Sequence, residues 1–386
     1  MTSPYARAAW SWTEHLRRGG TTPWSTWVDL AHEVEPPAGW SPPGAAQLEL
    51  LRTFAAQAGP EGASALPALA EVVLTRSGPG RGLAQQPLWW PGPLERPAFG
   101  APPVDPVDVP VAELLRLGTG VLTELLLSRP TETQAAPRHG RKRSAFRLTG
   151  APLTAAAVRR GLDDAGLVEG GRRSPRVLVF AEPLDRGLAQ VWSARVQRGA
   201  AVRWTGFLDR WSGRPQLPPA VDVATLARRW AARVGPRRVH VVCGDPVSVT
   251  SRVLRVRLAP DGSELSPAAV DVVRRVNSVL NVRVGPDRRA ALRQVLVSAL
   301  LEAQVVGAPA APLGVPARHQ DWARTRARRL ADDLAVGNYC VHGSPERLLP
   351  ALEPGSGPTH PRRADTLGVV RAVCLAWAAD RATEAG

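Results

Sequence analysis

Lysine is almost missing from this chain: Lys142 stands alone among 49 lysine and arginine residues. A lysine-dependent phosphate loop, a Schiff base or a paired-lysine site is therefore excluded everywhere except at Lys142. That residue lies in the basic run His139, Gly140, Arg141, Lys142, Arg143, Ser144 and reads as a solvated linker charge. Cysteine is scarce too. Cys243, Cys340 and Cys374 are odd in number, far apart and without a CxxC pair, which fits a reducing cytoplasm better than a disulfide framework. No stretch approaches the roughly 18 consecutive apolar residues of a membrane span. The start of the chain, Met1 to Arg7, lacks a basic segment followed by an apolar core, so no signal peptide is expected. A soluble, cytoplasmic protein is the expectation. The absence of a Gly-x-Ser-x-Gly elbow removes the ordinary serine-hydrolase reading.

What is present is a globular composition. With 386 residues, 44% hydrophobic and 22% charged, the chain has ample length for a packed core. The net charge of +15 is carried almost wholly by arginine. Codon bias in a G+C-rich genome is the bland account of that excess. The functional account is a surface that attracts phosphate, sulfate or carboxylate polymers, which the guanidinium fork pairs bidentately.

Composition divides the chain near residues 129–144, where Pro130 to Gln134 and the basic run make a polar linker. The first region, 1–130, reads as mainly helical. Helices are expected at Ala45–Ala58 and at Val111–Leu127, where Leu114, Leu115, Gly118, Val121, Leu122 and Leu125 mark one face. Between them Gly78–Pro106 is crowded with proline and glycine and should be extended, with Trp89 and Trp90 buried against the helices. The second region, 145–386, alternates strands with helices. Strands are expected at Phe146–Thr149, Arg176–Ala181 and Arg238–Cys243. Helices are expected at Thr154–Ala165, Leu184–Arg198 and Val223–Val234, then at Ser266–Leu280, Asp287–Glu302, Pro316–Leu334 and Ala364–Ala379. The fold class that follows is α/β, a parallel sheet with helical crossovers.

The most informative segment runs from Phe146 to Leu167: a strand, a Gly-Pro turn and a helix. It resembles the phosphate loop of the bacterial sulfotransferase family, Gly-x-Pro-Lys-[Ser/Thr]-Gly-[Ser/Thr]-[Ser/Thr]. Gly150, Pro152 and Thr154 match that pattern, while Leu153 stands at the lysine and Ala155, Ala156 and Ala157 replace the glycine and hydroxyl residues. Such a loop works through backbone amides, a helix N-terminus and a lysine charge converging on phosphate. The resemblance implies a reduced P-loop sulfotransferase-like fold over about residues 145–350. At the family's second nucleotide segment it sets Glu182 and Pro183 in place of an Arg-Asp pair, and Gln190 in place of a serine. The helix Leu265–Leu280 is similar to a family helix ending in Arg-Arg-x-Asn, and Pro316–Pro350 to the closing helix and turn.

Three parts of the family's chemistry are missing: the donor lysine, the 3′-phosphate arginine and the segment bearing the general base, for which only Val168–Pro175 remains. Sulfuryl transfer needs that base and a cation opposite the developing charge. The expectation is a pseudoenzyme with no catalytic residue, no cofactor and no metal, acting on a protein partner or an anionic ligand, by analogy in surface glycan modification. Candidate anion-binding residues beside the degenerate loop are Arg159, Arg160 and Arg186. The rivals are a transferase with an altered donor site and an arginine-rich nucleic-acid-binding protein. For metals, His240 and Cys243 would point to opposite faces of a strand, whereas Cys340 and His342 would share one, too few for a zinc site.

Finally, Trp12–Trp27 parallels Trp192–Phe207. Trp12/Trp192, Arg18/Arg198, Gly19/Gly199 and Trp24/Trp204 fall in register. Two chance helix–Gly–helix hairpins, or a partial second copy of the domain, would give this pattern. Either way the tryptophans should anchor a core.

Overall fold

The computed structural model describes residues 3–30, 32, 34–58, 62–75, 86–92, 101–130, 142–170, 175–259, 264–304, 312–350 and 358–385. The chain forms two compact units, one of residues 1–131, 298–303 and 362–386, the other of residues 132–297 and 304–361.

In the first unit the helices are α1 (Pro4–Arg17), α2 (Trp24–Trp27), α3 (Ala45–Ala55), α4 (Leu66–Thr75) and α5 (Val111–Leu127). The Val111–Leu127 expectation matches the observed bounds. Its small-residue face lets another helix approach closely: a Cβ on Gly118 would lie 3.2 Å from the Val370 side chain. That neighbour belongs to the last helix of the chain, Arg363–Ala385, which packs on α5 and α4. The domain expected to run from 145 to 386 therefore loses its C-terminal helix to the first unit. Periodicity marks an amphipathic face but cannot say which core that face will join.

Trp12 and Trp24 are almost fully buried, whereas Trp27 is half-buried. The burial expected of Trp89 is corrected, since this side chain is 43% exposed. The buried neighbour is Leu88, which bridges Val104, and adjacent side chains of an extended segment point to opposite sides. Most of Gly78–Pro106 lies outside the described residues.

The second unit begins with two short strands, β1 (Lys142–Ser144) and β2 (Phe146–Gly150), then α6 (Pro152–Asp164), β3 (Leu167–Glu169) and β4 (Arg176–Phe180). Helices α7 (Leu184–Gln197), α8 (Trp204–Ser212) and α9 (Val223–Val234) lead to β5 (Val239–Val242). Helices α10 (Pro246–Leu254), α11 (Pro267–Arg283), α12 (Pro286–Gln304) and α13 (Ala317–Val336) lead to β6 (Cys340–His342); Arg363–Ala385 is α14. The main sheet is parallel throughout, in the order β2-β4-β5-β6, as expected of the three strands read from the sequence. β6 adds a fourth. β1 pairs in parallel with β3 as a separate ribbon, so residues 142–144 are not the plain linker expected. Three paired residues rich in charge leave no alternation to read.

Phe146, Leu148, Leu178, Phe180 and Val242 form one buried sheet face with Ala155, Val158 and Leu162 of α6 and Val249 of α10. The opposite face presents Val177, Val179, Val239 and Val241, all fully buried, and α9 packs across it. Continuous burial on both faces is why these strands read as unbroken apolar runs.

If Trp12 and Trp24 anchor the first unit, replacing either by alanine should cost about 3–5 kcal/mol. Trp27→Ala should cost clearly less. Urea denaturation of the three variants checks the order, and equal losses would contradict it.

Candidate functional site

The carboxyl edge of the sheet is built as a staircase. Beyond the end of each strand one further amide bonds to its neighbour: Ala151 N–H donates to Phe180 O (3.0 Å), Ala181 N–H to Val242 O (2.9 Å) and Cys243 N–H to His342 O (2.8 Å). This brings the turn after β2, the turn after β4 and the start of α7 together, at the edge where open parallel sheets hold ligands. Gly150 makes the first step possible. It has φ 100°, and a Cβ there would lie 2.2 Å from the Phe180 carbonyl oxygen.

Pro152 opens α6 at a position whose N–H is not required, and Ala151 supplies no side-chain cap. The free amides of the first turn are instead met from α7. The Leu153 and Thr154 N–H groups both donate to Oε1 of Gln190, at 3.1 and 3.2 Å. Thr154 Oγ1 donates to Glu182 Oε1 (2.7 Å) and accepts from Gln190 Nε2 (2.9 Å). Gly150, Pro152, Leu153 and Thr154 thus form the turn and first helical residues at this edge. Glu182 and Gln190 converge on Thr154, and Gln190 also on Leu153. Oxygen atoms of the chain itself occupy the place at which a helix N-terminus attracts an anion.

The candidate arginines are arranged otherwise. Arg159 is exposed and bonds Glu169 of β3 through Nε and Nη2, at 2.9 and 2.7 Å. Arg160 is exposed on α6, and Arg186 is exposed in the first turn of α7. Asp185, beside Arg186, escaped the sequence reading. Burial pushes its carboxyl upward, opposed by the Arg186 and Asp185 amides and by the Arg186 charge. Its Oδ1 is buried without a hydrogen-bond partner among the described residues. A single aspartate in a helix's first turn carries no sequence signal that distinguishes it from an ordinary helix-start acid.

Cys340 and His342 share a face of β6, as expected, and His240 of β5 lies on that face as register partner of Cys340. The structure adds a contact that spacing alone concealed: His240 Nδ1 and His342 Nε2 are hydrogen-bonded at 3.0 Å, their rings stacked. Burial lowers the pKa of both. His342 and Arg176 add to the effect on His240, and Arg252 to that on His342. Among the described residues no group of three or more His, Cys, Asp or Glu could hold a metal. Cys243 is buried, which pushes its thiol up to about 11, so it is no ready nucleophile. Among the described residues no helix is long and apolar enough to cross a membrane.

Comparison of the chain with family models, with curated proteins and with solved structures gives no match.

Two outcomes are expected from this geometry. Gln190→Ala orphans the Leu153 and Thr154 amides at a partly buried site and should cost about 1–2 kcal/mol in urea denaturation; no change would show that water replaces the carboxamide. The histidine pair gives a pH dependence. Both histidines have lowered pKa values when folded, so their stabilisation is fully present above the ordinary histidine value and is lost as pH falls through and below it. The urea midpoint should drop between pH 7.5 and 5, and should drop less in His240→Gln. An identical slope in the variant would remove the pair as the cause.

Proposed function

We propose that this protein is a non-catalytic relative of the bacterial sulfotransferases that works as a binding or partner protein, by analogy in the modification of surface glycans. The observation that carries the reading is the closed network of Gln190, Thr154 and Glu182 at the start of α6. A working phosphate loop keeps its amides for the ligand; here two of them already have an acceptor. The lysine position of the pattern is held by Leu153. Sulfuryl transfer also requires a base and an opposing cation, and the short connection Val168–Pro175 leaves no room for the base-bearing elements that the resemblance implies.

The test is calorimetric titration at low salt with 3′-phosphoadenosine-5′-phosphate, the product of the sulfuryl donor, and an assay of donor turnover. Charge-assisted hydrogen bonds contribute about 1.5–3 kcal/mol each. Losing the two cations at Leu153 and Glu182 removes about 3–6 kcal/mol, or roughly two to four decades of affinity. No micromolar binding and no turnover are expected. Micromolar binding that Arg186→Ala abolishes would overturn the reading in favour of a transferase with a rebuilt donor site.

One observation favours a second reading, binding of a polynucleotide. Arg228, Arg229, Arg233, Arg237 and Arg238 are all exposed, and no acidic residue occurs from 223 to 244. Arg228 pairs at 3.8 Å with Asp333; Arg229 and Arg233, one helical turn apart, repel each other, and a polyanion relieves that repulsion while releasing counterions. Polynucleotide affinity falling steeply with salt would support this reading.

A further inference from the structure

The two tryptophan hairpins agree in far more than sequence register. Helices α1 and α7 each have 14 residues and occupy equivalent positions, Pro4–Arg17 and Leu184–Gln197. Each is followed by an arginine of near-identical dihedrals, Arg18 (φ −85°, ψ 9°) and Arg198 (φ −86°, ψ 2°). A left-handed glycine comes next, Gly19 at φ 86° and Gly199 at φ 112°. The same bonds close both ends: Gly19 N–H to Leu16 O and Gly199 N–H to Val196 O, Gly20 N–H to His15 O and Ala200 N–H to Arg195 O. The Trp12 indole N–H donates to Thr22 O at 2.9 Å, and that of Trp192 to Val202 O at 2.9 Å. The second tryptophan of each hairpin packs on the first, with ring centroids 5.1 and 5.9 Å apart.

The agreement continues beyond the hairpins, in the same order along the chain. Helices α3 and α11 follow, with N-caps at Gly44 and Ser266. Five residues after each N-cap stands a buried acid bonded to an arginine one turn later. Glu49 meets Arg52 at 2.6 and 2.7 Å, and Asp271 meets Arg274 at 2.6 Å. Next come α4 and α12, each of which closes over the left-handed glycine. A Cβ on Gly19 would lie 3.1 Å from Leu66, and one on Gly199 would lie 2.9 Å from Arg293. Last is an extended strap, Pro87 to Pro91 in one unit and Pro312 to Pro316 in the other, each with a buried leucine, Leu88 or Leu313. The second tryptophan of each hairpin donates its indole N–H to the residue after that leucine, Trp24 to Trp89 O and Trp204 to Gly314 O, at 2.6 and 3.1 Å. That same residue donates its own N–H to a further extended segment, Trp89 to Val104 O and Gly314 to Pro358 O.

We propose that the first unit is a second copy of the helical half of the α/β unit, and that the two hairpins are interchangeable folding modules. The copies differ where α7 faces the sheet edge. The position of Gln190 is taken by Trp10 in the first copy and that of Arg186 by Ala6, so the first copy carries neither of these side chains.

The test grafts residues 192–207 onto positions 12–27 of the full chain. The control grafts residues 191–206 onto the same positions, one residue out of register. The in-register graft should keep one cooperative thermal transition within about 5 °C of the unaltered protein, whereas the control should lose more than about 10 °C or its cooperativity. Two grafts that both fold with equal midpoints overturn the proposal. If neither folds, paired point variants decide: Trp12→Phe with Trp192→Phe, Trp24→Phe with Trp204→Phe, and Glu49→Gln with Asp271→Asn. A shared rank order of midpoint losses in the two copies supports interchangeability, and unrelated orders overturn it.

Discussion

A β-carbon at position 150 would lie 2.2 Å from one backbone oxygen of Phe180 and 2.8 Å from its nitrogen, a separation that no side-chain-bearing residue sustains. Only glycine allows β2 to run this close to β4 while turning at φ 100° into α6. Much of the α/β unit follows from that approach. It sets the depth at which Ala151 donates to Phe180 O, and hence where Pro152 begins the helix. It also aims the first turn of α6 at Gln190 of α7, rather than outward to solvent. The geometry of this strand–turn–helix is therefore held by a steric constraint that needs no bound ligand and no lysine.

A helix start fixed in this way has amides that must find acceptors. A charged ligand is one solution; side chains are another. Here Gln190 Oε1 accepts both amides, and the Thr154 hydroxyl donates to Glu182 while accepting from the Gln190 carboxamide. A neutral carboxamide can take two amides at once and return a donor to the threonine hydroxyl, so the helix-start amides are met without an added charge. Arginine, abundant elsewhere, stays at the rim, where Arg159 pairs with Glu169. The positive balance of the chain is thus a property of its surface and not of this edge.

The sequence made the central strands legible because each is buried on both faces and bounded by turn residues. It made Val111–Leu127 legible because its apolar face repeats cleanly over many turns. It failed at β1, β3 and β6, where three residues of mixed polarity leave the pairing partner to decide the conformation. It also failed at the last helix, whose core could not be chosen from periodicity, and at Trp89, which has the composition of a core residue but the wrong parity on an extended segment. At the site, alignment brought Glu182 and Gln190 to notice as departures from a pattern. Their bonding to the loop could not be read, because it depends on two helices separated by two strands. Asp185 and the contact between His240 and His342 likewise arise from the register of elements far apart in the chain.

The tryptophan hairpins were readable as a repeat for a physical reason. An indole offers the largest side-chain volume together with one donor that must be satisfied when buried. Placing it within a helix, one left-handed turn before a second tryptophan, fixes both the packing distance and the carbonyl that receives the N–H. Few substitutions keep both, so the spacing remains visible where the surrounding residues have diverged. The surface of the module carries no such double constraint. At the position where one copy has Gln190 the other has Trp10, with no effect on the bonds that define the hairpin. The difference between a helix that meets the sheet edge and a purely packing helix therefore lies in the strands set against it. The parallel sheet supplies the turn, the glycine and the helix start; the hairpin supplies only a rigid place from which Gln190 can reach them.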